Sequence, residues 1–119
     1  MEQTTKRDNA GMTWFVQAVS GLLLIVVLGL HMIANHFVVE GGLQTYQDVV
    51  NYLSNPLIVV VETIFLVVVS VHAMLGVRAL ILDLGIKEAA AKRVTAFLAL
   101  LGVVIVGYGI VLTLTMTGV

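Results

Sequence analysis

Residues 14–37 read WFVQAVSGLLLIVVLGLHMIANHF, a run with no Asp, Glu, Lys or Arg that still carries two of the chain's three histidines, His31 and His36. A helix of about 20 apolar residues crosses the hydrocarbon of a bilayer, so this run is long enough to span it. Two further runs match it. Leu57 to Leu82 holds two charges, Glu62 and Arg78, and Val94 to Thr117 holds none. Backbone amides in lipid have no water to bond, so each run must satisfy its own, which makes all three helices.

Composition agrees. The 119 residues are 60% hydrophobic and 11% charged, with a mean hydropathy of +1.08. A soluble domain carries about 25% charged residues, so the bilayer is the solvent indicated. The expectation is an all-α membrane protein, one domain over residues 1–119, with transmembrane helices at about 14–38, 57–82 and 94–117. The absence of cysteine excludes thiolate ligands, disulfides and Cys-held iron–sulfur clusters in this chain. A net charge of −1 offers no basic face for nucleic acid. The apolar run is longer than a signal-peptide core and contains His31, so it is read as a retained span rather than a cleaved leader.

The six cations set the expected orientation. Lys6 and Arg7 precede the first span, Arg78 ends the second, and Lys87, Lys92 and Arg93 precede the third. The loop from Val39 to Pro56 has none. The positive-inside rule then puts the N-terminus and the second loop in the cytoplasm, and the first loop and the C-terminus outside.

Local signals punctuate the spans. Asn9 to Thr13 can cap the first helix, and Trp14 suits an interface. In the outer loop, Leu43, Tyr46, Val50 and Leu53 fall at helical spacing, as for a short interfacial helix. Asn55-Pro56 opens the second span, Gly85 breaks the chain after it, and Gly102, Gly107 and Gly109 suit close packing of the third.

Ionisable groups at membrane depth are costly and mark function by default. His31 lies past the midpoint of the first span, roughly 7–9 Å toward the outer face, and His72 roughly 3–5 Å toward the inner face. A separation of roughly 10–14 Å forbids their ligating one metal ion. Two readings stand for each: a hydrogen-bonded packing residue, or the ligand of one of two stacked haems completed by another chain. Gly76 follows His72 at i+4, and Ala34 and Asn35 follow His31, small neighbours beside which a flat ring can lie.

These residues resemble a known family. WFVQAVSGLLLIVVLGLH is similar to the first-helix motif of the cytochrome b membrane anchors of succinate dehydrogenases and fumarate reductases, with Gly21 and His31 ten residues apart. HAMLGVRALILDLG resembles the second motif, with His72, Gly76, Arg78 and Asp83 in its roles. The likeness covers about residues 14–85, the LSNP before the second span included; the third span matches by length alone. It implies a haem b and quinone subunit, forming half of a helical bundle with a second membrane anchor subunit. A flavoprotein subunit and an iron–sulfur subunit would complete the complex, and the chain would be catalytic only within it. In two-haem members the first-helix histidine serves the haem distal to the iron–sulfur protein and the second-helix histidine the proximal one. There are departures: Leu84 follows Asp83 where one-haem enzymes often carry Tyr, and Gln17 and Ala18 stand where a partner subunit has a His-Arg pair. They place the familiar proximal quinone site in doubt and favour the two-haem branch, with quinone near the outer face.

The remaining polar residues leave alternatives open. His36 is a bond donor to a haem propionate or quinone, or a group meeting headgroup water. Arg78 pairs with a propionate, with Asp83 or with a partner subunit, or snorkels. Glu62 is a proton group or snorkels outward, and Ser20 and Gln17 line a pocket near the inner end or only pack. Against the anchor stand a haem-free helical subunit and a small carrier; the carrier wants an acid at mid-depth, and Glu62 sits too far out.

Overall fold

A computed structural model describes the backbone of residues 2–118 and the side chains of 9–118; the cations Lys6 and Arg7 lie outside the described side chains. Helix α1, Glu2–Ile33, runs into a π-helical turn, Ala34–Val38; α2 is Tyr46–Leu53, α3 is Pro56–Leu82 and α4 is Glu88–Thr117. Among the described residues there is no strand. Three stretches are long and apolar enough to cross a membrane: Asn9–Val38, Pro56–Leu82 and Glu88–Thr117. The three-span expectation holds, with the first and third helices beginning earlier than their apolar runs.

The early start of α1 corrects the cap expected at Asn9 to Thr13. The Thr13 hydroxyl donates to the Asn9 carbonyl at 2.9 Å, one turn back within a continuous helix, and so caps nothing. The start at Asn55-Pro56 and the break at Gly85 are as expected, whereas Gly107, expected to pack closely, has nothing within 4 Å of where its Cβ would be. Asn55 caps α3 by accepting from the Leu57 amide at 3.0 Å, with Pro56 in the first turn. Leu84 and Gly85 turn back onto the Ile81 and Leu82 carbonyls, ending α3.

Helix α3 is the central element, packed against α1 on one side and α4 on the other. The α3–α4 contact depends on a missing side chain: a Cβ built on Gly109 would stand 2.5 Å from a Leu66 methyl. Without it the backbones approach closely, the usual basis of helix association in lipid.

At one end of the bundle α2 closes the structure. Tyr52 and Leu53 bury with Ala34 of the π-helical turn and Ile58 of α3, with Met116 of α4 beside them. The interfacial helix was expected, but its face is rotated: Tyr46 is 70% exposed, and the inward aromatic is Tyr52. A capping box starts α2, with the Asp48 amide donating to Thr45 Oγ1 at 3.2 Å and the Thr45 amide returning to Asp48 Oδ2 at 2.8 Å. Bonding to Thr45, side chain before backbone, and then to the Gln44 amide, holds the Asp48 carboxyl below its ordinary value of 3.8.

Elsewhere the interior is thin. Leu22, Ile25, Leu100 and Val103 are all more than 60% exposed. Belts of this kind are solvated by lipid tails or by other membrane helices.

Two expectations follow. Gly109→Ala should be tolerated, because the tip of Leu66 can turn aside, whereas Gly109→Leu should part α3 from α4 and lower the thermal midpoint in detergent. For Asp48 a depressed native pKa means that its contribution is present above 3.8 and is lost as pH falls through the lower native value. Amide protection in α2, corrected for intrinsic exchange rate, should therefore hold from neutral pH to 3.8 and fall below it. Asp48→Asn should show part of that loss already at neutral pH.

Candidate functional site

Helices α1 and α3 run antiparallel in one register. His31 meets Glu62, Gly21 meets His72, and Gln17 meets Gly76. Ten residues separate the first two meetings along each helix, which is about 15 Å at 1.5 Å per residue. That slightly exceeds the depth difference expected from the spans. The two imidazoles therefore occupy separate levels of one helix pair. Among the described residues no three His, Asp or Glu side chains converge to hold a metal ion. Each level offers a single imidazole, so a metal ion at either one would need its other ligands from elsewhere.

At the His72 level the ring lies over bare backbone. A Cβ on Gly21 would sit 3.0 Å from His72 Cε1 and 3.5 Å from Nδ1, tighter than ordinary contact, so glycine makes the room for the ring. Ser20, buried beside it, sets the tautomer. Its hydroxyl donates to the Gln17 carbonyl at 2.9 Å, and its oxygen lies 3.2 Å from His72 Nδ1. With the hydroxyl proton spent on Gln17, Ser20 accepts, so Nδ1 carries the hydrogen and Nε2 keeps its lone pair. One turn toward the chain's start, the Gln17 amide nitrogen lies against Gly76, at 3.3 Å from where its Cβ would be. Its amide oxygen is buried with no hydrogen-bond partner. Such an acceptor calls for a donor from a ligand, a water or a neighbouring chain.

Below this level a cavity of about 540 Å³ opens at the helix ends, lined in part by Thr13, Trp14, Gln17, Arg78 and Asp83. Arg78 Nε donates to Thr95 Oγ1 on α4 at 2.8 Å, and Thr95 passes the bond to the Ala91 carbonyl at 2.9 Å. Arg78 thus finds a partner that spacing did not suggest, while still lining the cavity.

At the other level His31 sits in a complete polar network. Its Nδ1 lies 2.6 Å from Glu62 Oε2, and Phe65 stacks on the ring with centroids 4.5 Å apart. The Tyr52 hydroxyl donates to Glu62 Oε1. Asn35 Nδ2 donates to the His31 carbonyl at 2.7 Å and reaches the Tyr52 hydroxyl oxygen at 3.4 Å. It also lies 3.2 Å from His31 Nδ1 and 3.4 Å from Nε2. Glu62 does not snorkel: its side chain is 17% exposed and both its oxygens are engaged. Burial first, and then Glu62, raises the Tyr52 phenol well above its ordinary 10.0, so it stays a neutral donor.

His36 falls outside this network. It is exposed on the π-helical turn and lines a cavity of about 520 Å³ with Asn35 and residues 41–44. Sequence reasoning missed Tyr52, Phe65 and Thr95. An intramembrane acid beside a phenol one helix away was the only available hint for Tyr52.

The donor chemistry at both levels suits haem. Each imidazole has its Nδ1 held by a protein oxygen, which leaves Nε2 as the nitrogen that could ligate, and Gly21 gives the His72 ring itself the space it occupies.

The family described as succinate dehydrogenase/fumarate reductase transmembrane subunit matches residues 2–115. The chain is 29% identical over 114 residues to the succinate dehydrogenase hydrophobic membrane anchor subunit of Thermoplasma acidophilum, covering 96% of this chain and 93% of that one. It is 30% identical over 92 residues to the protein of the same name from Archaeoglobus fulgidus, covering 76% and 78%. No solved structure matches it.

Proposed function

The chain belongs to the succinate dehydrogenase/fumarate reductase transmembrane subunit family, and we propose that it anchors such a complex in the membrane while ligating two b-type haems, one through His31 and one through His72. The observation that carries this reading is the pair of imidazoles at separate levels of one helix register, both with Nδ1 held by a protein oxygen, the Asn35 amide nitrogen at 3.4 Å being the neighbour of His31 Nε2. A second membrane anchor subunit would complete the bundle against the thin α1–α3–α4 layer and would bring the further ligands the two haems need. Haem b, when bound by two imidazoles, supplies a six-coordinate one-electron carrier rather than an oxygen-binding site.

The chain's own residues do the rest. Ser20 orients His72, and Gly21 keeps the ring's recess open. Arg78, lining the inner cavity with Gln17, offers a guanidinium to a propionate, a charge-assisted bond. Gln17 brings an acceptor that still needs a donor. Gly76 lets the Gln17 amide lie flat against α3. At the other end His36 and Asn35 line the cavity that suits a quinone head group.

The cation distribution supports placing the α1 start and the α3–α4 connection, with Lys87, Lys92 and Arg93, in the cytoplasm, and α2 with the end of α4 outside. His72 then faces the iron–sulfur subunit, which receives electrons from the flavoprotein, and His31 lies nearer the outer surface. One observation favours a second reading, a haem-free anchor: Glu62 and Tyr52 satisfy His31 without any cofactor.

Reduced-minus-oxidised spectra with haem quantitation on the purified complex decide between them. We expect two b-type haems in the wild type and loss of one in each of His31→Ala and His72→Ala. A complex without haem would establish the plain anchor instead.

A further inference from the structure

Glu62 is the one acid within the apolar body of the three spans, and it is fully engaged. One oxygen accepts from His31 Nδ1 at 2.6 Å and the other accepts from the Tyr52 hydroxyl. Tyr52 is in turn buried, 4% exposed, and comes from α2 rather than from any spanning helix. Asn35 donates to the Tyr52 oxygen and to the His31 carbonyl, and Phe65 covers a face of the ring. Every member of this network is either satisfied or packed. In a low-dielectric site such an arrangement holds a side chain in one orientation. The inner imidazole, by contrast, bonds only a neutral serine hydroxyl.

We infer that Glu62, tensioned by Tyr52, is a positioning residue for His31 that fixes its tautomer and sets the electron donation of its Nε2 to haem iron. This rests on the reading of His31 as a haem ligand. A carboxylate accepting from the far nitrogen of a ligating imidazole orients the ring and raises its basicity. A more basic ligand favours the ferric state, so the carboxylate lowers the reduction potential of the haem it serves. The Tyr52 hydroxyl works against it. By donating to Glu62 it withdraws charge from the carboxylate and weakens the pull on His31. Helix α2, outside the spans, thereby reaches the ligand through one phenol.

The two substitutions should act in opposite directions, which a packing role would not produce. Glu62→Gln replaces a charged acceptor with a neutral one, so potential rises. Tyr52→Phe removes the competing donor while keeping the ring, so potential falls.

The test is an optical redox titration of the intact purified complex carrying Glu62→Gln, Tyr52→Phe or His31→Ala, with haem quantitation alongside. His31→Ala identifies the haem that depends on this ring; full haem content in that variant would defeat the ligand assignment itself. With that haem identified, we expect Glu62→Gln to retain it and raise its midpoint potential, Tyr52→Phe to retain it and lower the potential, and neither to move the haem at His72. Unchanged potentials with haem retained, or shifts of the same sign, overturn the role given to Glu62 and leave the ligand assignment standing. If Glu62→Gln does not assemble, Tyr52→Phe decides alone: a downward shift supports the inference, and none or an upward one overturns it.

Discussion

An imidazole and a carboxylate placed in hydrocarbon must find each other or find water. His31 and Glu62 find each other, 2.6 Å apart across α1 and α3. An unpaired ion there would cost several kcal/mol, so pairing is the condition for keeping either group. The same contact fixes how the two helices slide. With His31 opposite Glu62, His72 falls opposite Gly21, the one residue type that leaves room for the ring, and Gly76 opposite the Gln17 amide. A shift of one turn would drive His72 into a side chain and leave Glu62 without its partner. The polar pair thus does for this interface what hydrophobicity does in water, where lipid offers no driving force between helices.

From that register the rest is built outward. Helix α4 joins α3 where Gly109 leaves space for Leu66, and α2 covers the end where Glu62 would otherwise reach the interface. The resulting three-helix layer buries little of itself. A chain that spends its few polar residues on two imidazoles while leaving long apolar belts exposed is suited to being one part of a larger membrane bundle, as membership of its family implies.

Much of the architecture was legible in the sequence because lipid imposes a simple rule: apolar runs of spanning length must be helices. The loop helix, the Asn55-Pro56 start and the break at Gly85 followed from local chemistry. The start of α1 did not, because Thr13 had an alternative that composition does not reveal, a carbonyl one turn back in a continuing helix. Of the site, the levels of the histidines were legible by counting along the spans. Their partners were not. Glu62 looked close enough to the surface to snorkel, and only the fold of the connecting segment brings Tyr52 over it. Tyr46 looked as apt as any residue to face inward, yet the capping box at Thr45 and Asp48 sets the rotation of α2 that points Tyr52 instead. Arg78 had an evident partner in Asp83, and its choice of Thr95 depends on how α4 packs. Contacts between elements are the part that a single sequence carries least visibly.

We propose that one antiparallel helix register holds two haem ligands at separate levels. The most direct measurement is an electron cryomicroscopy map of the intact complex in lipid nanodiscs, inspected at the two rings. Porphyrin density should stand at Nε2 of both His31 and His72, with Glu62 still on His31 Nδ1 and Ser20 on His72 Nδ1. A map in which either ring ends in protein or lipid, with no porphyrin at its Nε2, would contradict it.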